Sequence, residues 1–230
     1  MTNKPDWLPY AAPMALFLVL TSLEGYLPRS SYPIAYCIKA LLVLIALLYF
    51  HREWKSELRD REWKSELRGD GKAVALGVVA GLLGLGLWLG LDALQPAGWS
   101  LGKRTAYNPF EAIANPTLRY SFLTVRFIGL ALLVPVMEEV FWRSFLLRYA
   151  TDQDKWKSLP LGQFSLAAFG IVTGLFALAH PEWLAAIGYA ALMAGLLRYT
   201  KSLLACIVAH GVTNAALGIF VLLTGNWRYW

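Results

Sequence analysis

The sequence predicts an all-α, polytopic transmembrane helix bundle of about seven to eight helices. Three observations predict it. First, 57% of the 230 residues are hydrophobic, against roughly 45–50% in an ordinary soluble domain, and the mean hydropathy is positive. Second, the excess is gathered into runs. A bilayer core about 30 Å thick takes roughly 20 mostly apolar residues per helix, and several runs are that long. Third, the connectors between runs are short. They leave too little polar sequence to cover the runs as buried helices of a soluble protein.

Residues 9–27, 32–50, 73–94 and 201–224 read as clear spans. Residues 164–180 and 183–199 are apolar but shorter. The stretch 120–149 is apolar in its middle and charged at Arg126, Glu138, Glu139 and Arg143. The first run is long and lacks a small-residue cleavage site, so it reads as a span and not as a signal peptide. Residues 1–230 read as a single transmembrane domain, with N-terminal helices over 1–119 and motif-bearing helices over 120–224.

The net charge of +6 is informative through its placement. The connector 51–72 carries Arg52, Lys55, Arg59, Arg61, Lys64, Arg68 and Lys72. Cytoplasmic loops of membrane proteins collect Lys and Arg, which puts this connector, and the N-terminus two spans before it, in the cytoplasm. Seven spans bring Lys155, Lys157, Arg198 and Lys201 to the same side and the aromatic segment 226–230 to the other. Lys103, Arg104 and Arg119 run against this bias. The expected location is a cytoplasmic (inner) membrane, if the host is bacterial.

The connector contains a repeat: Arg-Glu-Trp-Lys-Ser-Glu-Leu-Arg at 52–59 recurs at 61–68. Nine residues of helix rotate about 900°, half a turn net, so Trp54 and Trp63 face opposite ways. The reading is a charged surface helix with Glu–Lys pairing; a partner-binding or lipid-binding element is the alternative. Tolerance of a tandem copy argues against a part in the active site. The loop 95–119 holds Pro96, Gly98, Pro109, Asn115 and Pro116 and reads as a turn-rich connector with a short interfacial helix around Phe110 to Ala114. Cys37 and Cys206 lie in apolar runs and do not form a disulfide framework. No phosphate-binding glycine loop, paired metal-type cysteines or Gly-x-Ser-x-Gly elbow occurs, and nothing points to nucleic acid.

Ionisable groups inside membrane segments are costly, about 2.5–3.5 kcal/mol on insertion scales, and mark function by default. Three clusters qualify. In Pro135-Val-Met-Glu138-Glu139-Val-Phe-Trp-Arg143, Glu139 and Arg143 are four apart and share a helix face. Glu138 is rotated by about 100°. One acid can be held by the arginine while the other faces a cavity, where a desolvated carboxylate gains proton affinity and suits a general base. Pro135 removes a helix hydrogen bond just upstream. The second cluster is Phe176-Ala-Leu-Ala-His180, with ring and imidazole on one face. The third is His210-Gly-Val-Thr-Asn214, deep in the last run. Taken singly, each has a plainer reading: acids at a helix end, an interfacial histidine, or interhelical hydrogen bonding. Together they supply a base, an imidazole and a His/Asn donor pair, the parts needed for water to attack a peptide carbonyl.

Glu-Glu-x-x-x-Arg, Phe-x-x-x-His and His-x-x-x-Asn, in that order on successive apolar segments, resemble the CPBP family of intramembrane glutamic endopeptidases. That family takes in the Rce1-like CAAX prenyl proteases and bacterial CAAX protease-related proteins. The match is carried by Glu138, Glu139, Arg143, Phe176, His180, His210 and Asn214, within about residues 120–220; the first three spans show no matching motif. The resemblance implies that Glu138 activates water with help from His180. It implies that His210 and Asn214 stabilise the oxyanion, and that Glu139, Arg143 and Phe176 support. It implies no metal, no cofactor and no covalent intermediate. The substrate would be a membrane-associated peptide or protein. The Val134-Pro-Val-Met-Glu-Glu139 stretch resembles proteins that accompany exosortase-type sorting systems. Three other readings stay open: a zinc-dependent membrane protease, although His-Glu-x-x-His is absent; a non-catalytic immunity or assembly factor; and a transporter with an acid relay.

One difficulty is visible in advance. If all spans are even, Glu138 falls near the cytoplasmic end of its helix and His180 near the far end of the next, and the two cannot meet. Either a Glu helix that continues past Arg143, to about Tyr149, or a longer or tilted following segment resolves this; Phe145, Leu146 and Leu147, which continue the apolar character past Arg143, favour the long helix.

Overall fold

The computed structural model describes residues 4–58, 70–96, 98–100 and 106–230, and among these the secondary structure is helical with no strand. The principal helices among the described residues are α1 (Leu8–Glu24), α2 (Tyr32–Trp54), α3 (Asp70–Leu94), a composite helix Pro116–Thr151, α8 (Leu166–Leu178), α9 (Trp183–Thr200) and α10 (Leu203–Thr224). A single-turn helix, α4 (Pro109–Ala112), precedes the composite one. Among the described residues, four segments are long and apolar enough to cross a bilayer, Arg29–Leu58, Gly71–Leu94, Pro116–Thr151 and Leu203–Thr224; Leu8–Glu24 and Leu166–Leu178 are apolar but shorter. Leucine, isoleucine and valine side chains of α2 and α3 face outward, as lipid-facing surfaces require. The protein is a helical integral membrane bundle.

Contacts at the two ends give the alternation of the helices. At one end Lys157 pairs with Asp6 at 3.5 Å, and Lys201 donates to the Gly162 carbonyl at 2.8 Å. At the other, Gln95 Nε2 donates to the Pro181 carbonyl at 3.1 Å, Trp183 Nε1 donates to the Trp99 carbonyl at 2.7 Å, and Arg228 pairs with Asp92. Serine and asparagine caps set several helix starts: Asn115 for the composite helix, Ser165 for α8 and Ser202 for α10 each accept a backbone N–H of the first turn, as such residues do.

The composite helix joins α5 (Pro116–Ile128), a π-helical turn over Gly129–Leu133, α6 (Val134–Glu139), a second π-helical stretch over Val140–Leu146, and α7 (Leu147–Thr151). The first irregularity follows from Pro135, which has no N–H to give the carbonyl four residues back. The carbonyls released there meet α10. Asn214 Nδ2 donates to the Leu130 carbonyl at 2.8 Å. The Ala131 carbonyl lies where a Cβ on Gly211 would stand, at 2.8 Å. The helix runs past Arg143 to Thr151, as expected, so Glu138 sits 13 residues from its end, about 20 Å by helical rise. α8 has only 13 residues, so His180, just past its end, lies at about the same depth. The short α8 resolves the difficulty together with the long Glu helix.

Among the described residues of the loop 95–119 the short helix forms at Pro109–Ala112, and Gln95 at the start of the loop also caps the break between α8 and α9. Its Oε1 accepts the Leu184 N–H at 3.2 Å while its amide holds the Pro181 carbonyl. Irregular backbone at membrane depth needs such partners. The expectation for the connector 51–72 needs correction: over its described residues 51–58 it is not simply a charged surface helix. Its first copy is built into the fold: Trp54 is buried, and Glu57 accepts from Arg148 at 2.7 and 2.8 Å, from Tyr10 at 2.8 Å and from Ser144. The acid pairs with an arginine of α7 instead of a neighbouring lysine, because that guanidinium is buried against Trp156 and needs a counter-charge. The second copy, with Trp63, lies outside the described residues, as do Lys103 and Arg104.

α3 packs closely on α10 through Gly77, Gly81 and Gly84. A Cβ on Gly77 would stand 2.6 Å from the Ala205 carbonyl, and one on Gly81 2.5 Å from the Ala209 carbonyl. Glycine at this spacing lets membrane helices approach backbone to backbone. The contact ends at Thr213, whose hydroxyl lies 2.8 Å from the Gly81 carbonyl and 3.0 Å from that of Ala209. α10 is thus gripped by α3 on one side and by the composite helix on the other, at the level of His210.

Candidate active site

Glu138 and Glu139 follow one another on α6 and leave it in different directions. Glu139 is fully buried, with Oε2 3.2 Å from Arg143 Nε and Oε1 2.7 Å from His210 Nδ1. The Glu139–Arg143 pair expected from the i, i+4 spacing forms. The guanidinium also lies 4.9 Å from the centre of the Phe176 ring, so the phenyl face covers the cation. Glu138 instead lines a cavity of about 430 Å³, and its Oε2 is buried without a hydrogen-bond partner. Of the neighbouring acids, Glu139 is engaged by Arg143 and His210 and Glu138 faces the cavity.

His180, His210, Asn214 and Phe176 line the same cavity. His180 Nδ1 is 2.7 Å from the Phe176 carbonyl. A carbonyl only accepts, so Nδ1 carries the proton, and in the neutral ring Nε2 carries the lone pair. The ring lies 4.4 Å from Phe176 and edge-on to Trp88 at 5.5 Å. His210 is fixed similarly. Ionised Glu139 accepts from Nδ1, so Nε2 becomes a donor only when the ring is an imidazolium. Asn214 spends one amide hydrogen on the Leu130 carbonyl and keeps a second. Tyr189, from α9, stands 5.7 Å from the His210 ring and donates to Thr213 at 3.2 Å.

The structure therefore brings five of the seven motif residues to one cavity and places the other two, Glu139 and Arg143, directly behind its wall. Among the described residues, no three His, Cys, Asp or Glu side chains are grouped as for a metal ion. Sequence reading missed the glycines of α3, whose four-residue spacing was visible. It also missed Trp88, Tyr189 and Gln95, whose roles depend on neighbours far away in sequence and which carried no local signal.

The fold and the cavity define a largely apolar pocket, carrying the polar motif side chains, within an integral membrane bundle. The family model for type II CAAX prenyl endopeptidase Rce1-like proteins matches residues 120–216, which contain all seven motif residues and make up less than half of the chain. This agrees with the resemblance read from the motifs: the segment that carries all seven of them is similar to CAAX-protease-type proteins. No curated protein matches the chain, and no solved structure does.

Proposed function

We propose that the protein is a glutamate-dependent intramembrane endopeptidase, that its catalytic helices are those of residues 120–224, and that its substrate is a membrane-associated peptide or protein. The observation that carries this reading is the convergence of Glu138 and His180 on one cavity from separate helices. In the reading, a water molecule attacks the peptide carbonyl carbon while Glu138 takes its proton and the His180 Nε2 lone pair orients it. The carbonyl oxygen becomes an oxyanion facing His210 Nε2–H and the free amide hydrogen of Asn214. Glu138 then passes its proton to the leaving nitrogen as the carbon–nitrogen bond breaks. Donors preorganised in a dry site are worth about 10²–10³ in rate each. A zinc reading finds less support, since Glu139 is already taken up by Arg143 and His210. The connector and the N-terminus are assigned to the cytoplasmic side.

The test is cleavage of a panel of membrane-anchored peptides in proteoliposomes by the wild type and by Glu138→Gln, with and without a strong chelator. Cleavage that survives chelator and vanishes in the variant is expected. Cleavage that persists in Glu138→Gln, or that chelator abolishes, overturns the reading.

A further inference from the structure

Twelve residues before Glu138 on the same composite helix, Arg126 lines the other end of the cavity. Its guanidinium carbon lies 4.7 Å from the centre of the Tyr36 ring, 5.5 Å from Trp230 and 5.6 Å from Tyr32. Its Nε is buried without a hydrogen-bond partner, and among the described residues no carboxylate pairs with it. Lys39 of α2 approaches the same Tyr36 ring, at 5.3 Å, but is neutralised by Glu24 at 2.5 Å and held by Thr21 at 3.1 Å. One half-buried positive charge is thus left without a carboxylate partner in an aromatic cage on an apolar helix, where an unpaired cation is costly. Aromatic faces compensate part of that cost, but they leave the planar fork of N–H donors unused. That fork matches a carboxylate.

We propose that Arg126, in its cage of Tyr32, Tyr36 and Trp230, is the anchor for a carboxylate of the substrate, either a chain terminus or an acidic side chain. This rests on Glu138 being the place of hydrolysis. The cavity is then polarised, negative at Glu138 and positive at Arg126, and a peptide with one acidic group enters in one direction only. Twelve residues of helix span about 18 Å, the length of about five residues of extended chain. The anchored carboxylate therefore lies about five residues from the bond that is cut. Gly129 belongs to the same device, since a Cβ there would stand 2.3 Å from the Tyr36 hydroxyl and displace the cage.

The experiment uses the full-length Glu138→Gln protein, which holds peptides without turning them over, in phosphatidylcholine nanodiscs. The probes are fluorescein-tagged pools of apolar decapeptides with a free C-terminal carboxylate, with a C-terminal amide, and with an amide plus one internal Asp; binding is read by anisotropy. At least one carboxylate-bearing pool is expected to bind about tenfold more tightly than the acid-free amide pool, and which one does so identifies the source. Adding Arg126→Gln removes the difference, and Arg126→Lys keeps part of it. Equal binding of the three pools overturns the proposal. So does an advantage that survives Arg126→Gln, or one that disappears in phosphatidylglycerol nanodiscs, which would make lipid phosphate the occupant. Cleavage of the same pools separates the two readings. If the preference is lost while Glu138-dependent cleavage stays intact, only the anchor fails. If the preference is intact while Glu138→Gln still cleaves, only the hydrolysis reading fails.

Discussion

His210 Nδ1 stands 2.7 Å from Glu139 Oε1, and the same carboxylate is held on its other side by Arg143. The acid beside the cavity-facing Glu138 is therefore the one that sets the tautomer of a histidine 71 residues away. Exchanging either acid for glutamine tests this division of labour. Glu139→Gln leaves Arg143 as a buried charge without a counter-ion, and breaking a buried pair in this way costs about 3–5 kcal/mol. Thermal unfolding in detergent should show a clear loss of stability, together with loss of activity.

Glu138→Gln should behave in the opposite way. Oε2 of Glu138 has no partner to lose, so the melting temperature should stay close to wild type. If Glu138 is the general base, as proposed, its removal should lower kcat by about 10²–10⁴. A large fall in stability with this variant would show that Glu138 is a structural group.

Asn214→Leu removes two things at once: the donor to the Leu130 carbonyl and the remaining amide hydrogen facing the cavity. The orphaned carbonyl should cost about 1–3 kcal/mol, and the lost donor about 10²–10³ in kcat. Asn214→Asp offers no N–H and should reproduce the kinetic loss. If both variants keep wild-type kcat, Asn214 only staples the π-helical turn.

Gly81→Ala should be disproportionately harmful for one methyl group. The added Cβ would stand 2.5 Å from the Ala209 carbonyl and 2.7 Å from Val212 Cβ, forcing α3 off α10 one residue from His210. Overpacking of this kind costs about 1–3 kcal/mol. Gly86→Ala on the same helix meets nothing within 4 Å and is the control, expected to be neutral. Thermal melts of the two variants side by side decide the point.

Glu57 and Arg148 should be energetically coupled. A double-mutant cycle with alanine at both positions should give an interaction energy in the range of about 0.5–3 kcal/mol found for residues in contact. A coupling of zero would return the first repeat copy to the status of a surface connector.

Much of this protein was legible in its sequence. Apolar runs of spanning length demand helices, because backbone groups in lipid must be satisfied within the segment. The observed elements fall close to the predicted windows: 73–94 against Asp70–Leu94, and 201–224 against Leu203–Thr224. Polar residues stranded in those runs are few enough to stand out, so Glu138, Glu139, Arg143, His180, His210 and Asn214 could be read as a set. The i, i+4 spacing gave the Glu139–Arg143 pair because that relation is local to one helix. Tertiary structure decided the rest. Which acid faces the cavity depends on α10 standing beside α6 to take up Glu139. The common depth of Glu138 and His180 depends on the length of α8 and on Gln95 capping the break after it. The engagement of Glu57 depends on Arg148 arriving from α7, and the isolation of Arg126 on Lys39 having already claimed Glu24. These are contacts between residues distant in the chain, and no periodicity within a segment encodes which partner a buried polar group will meet.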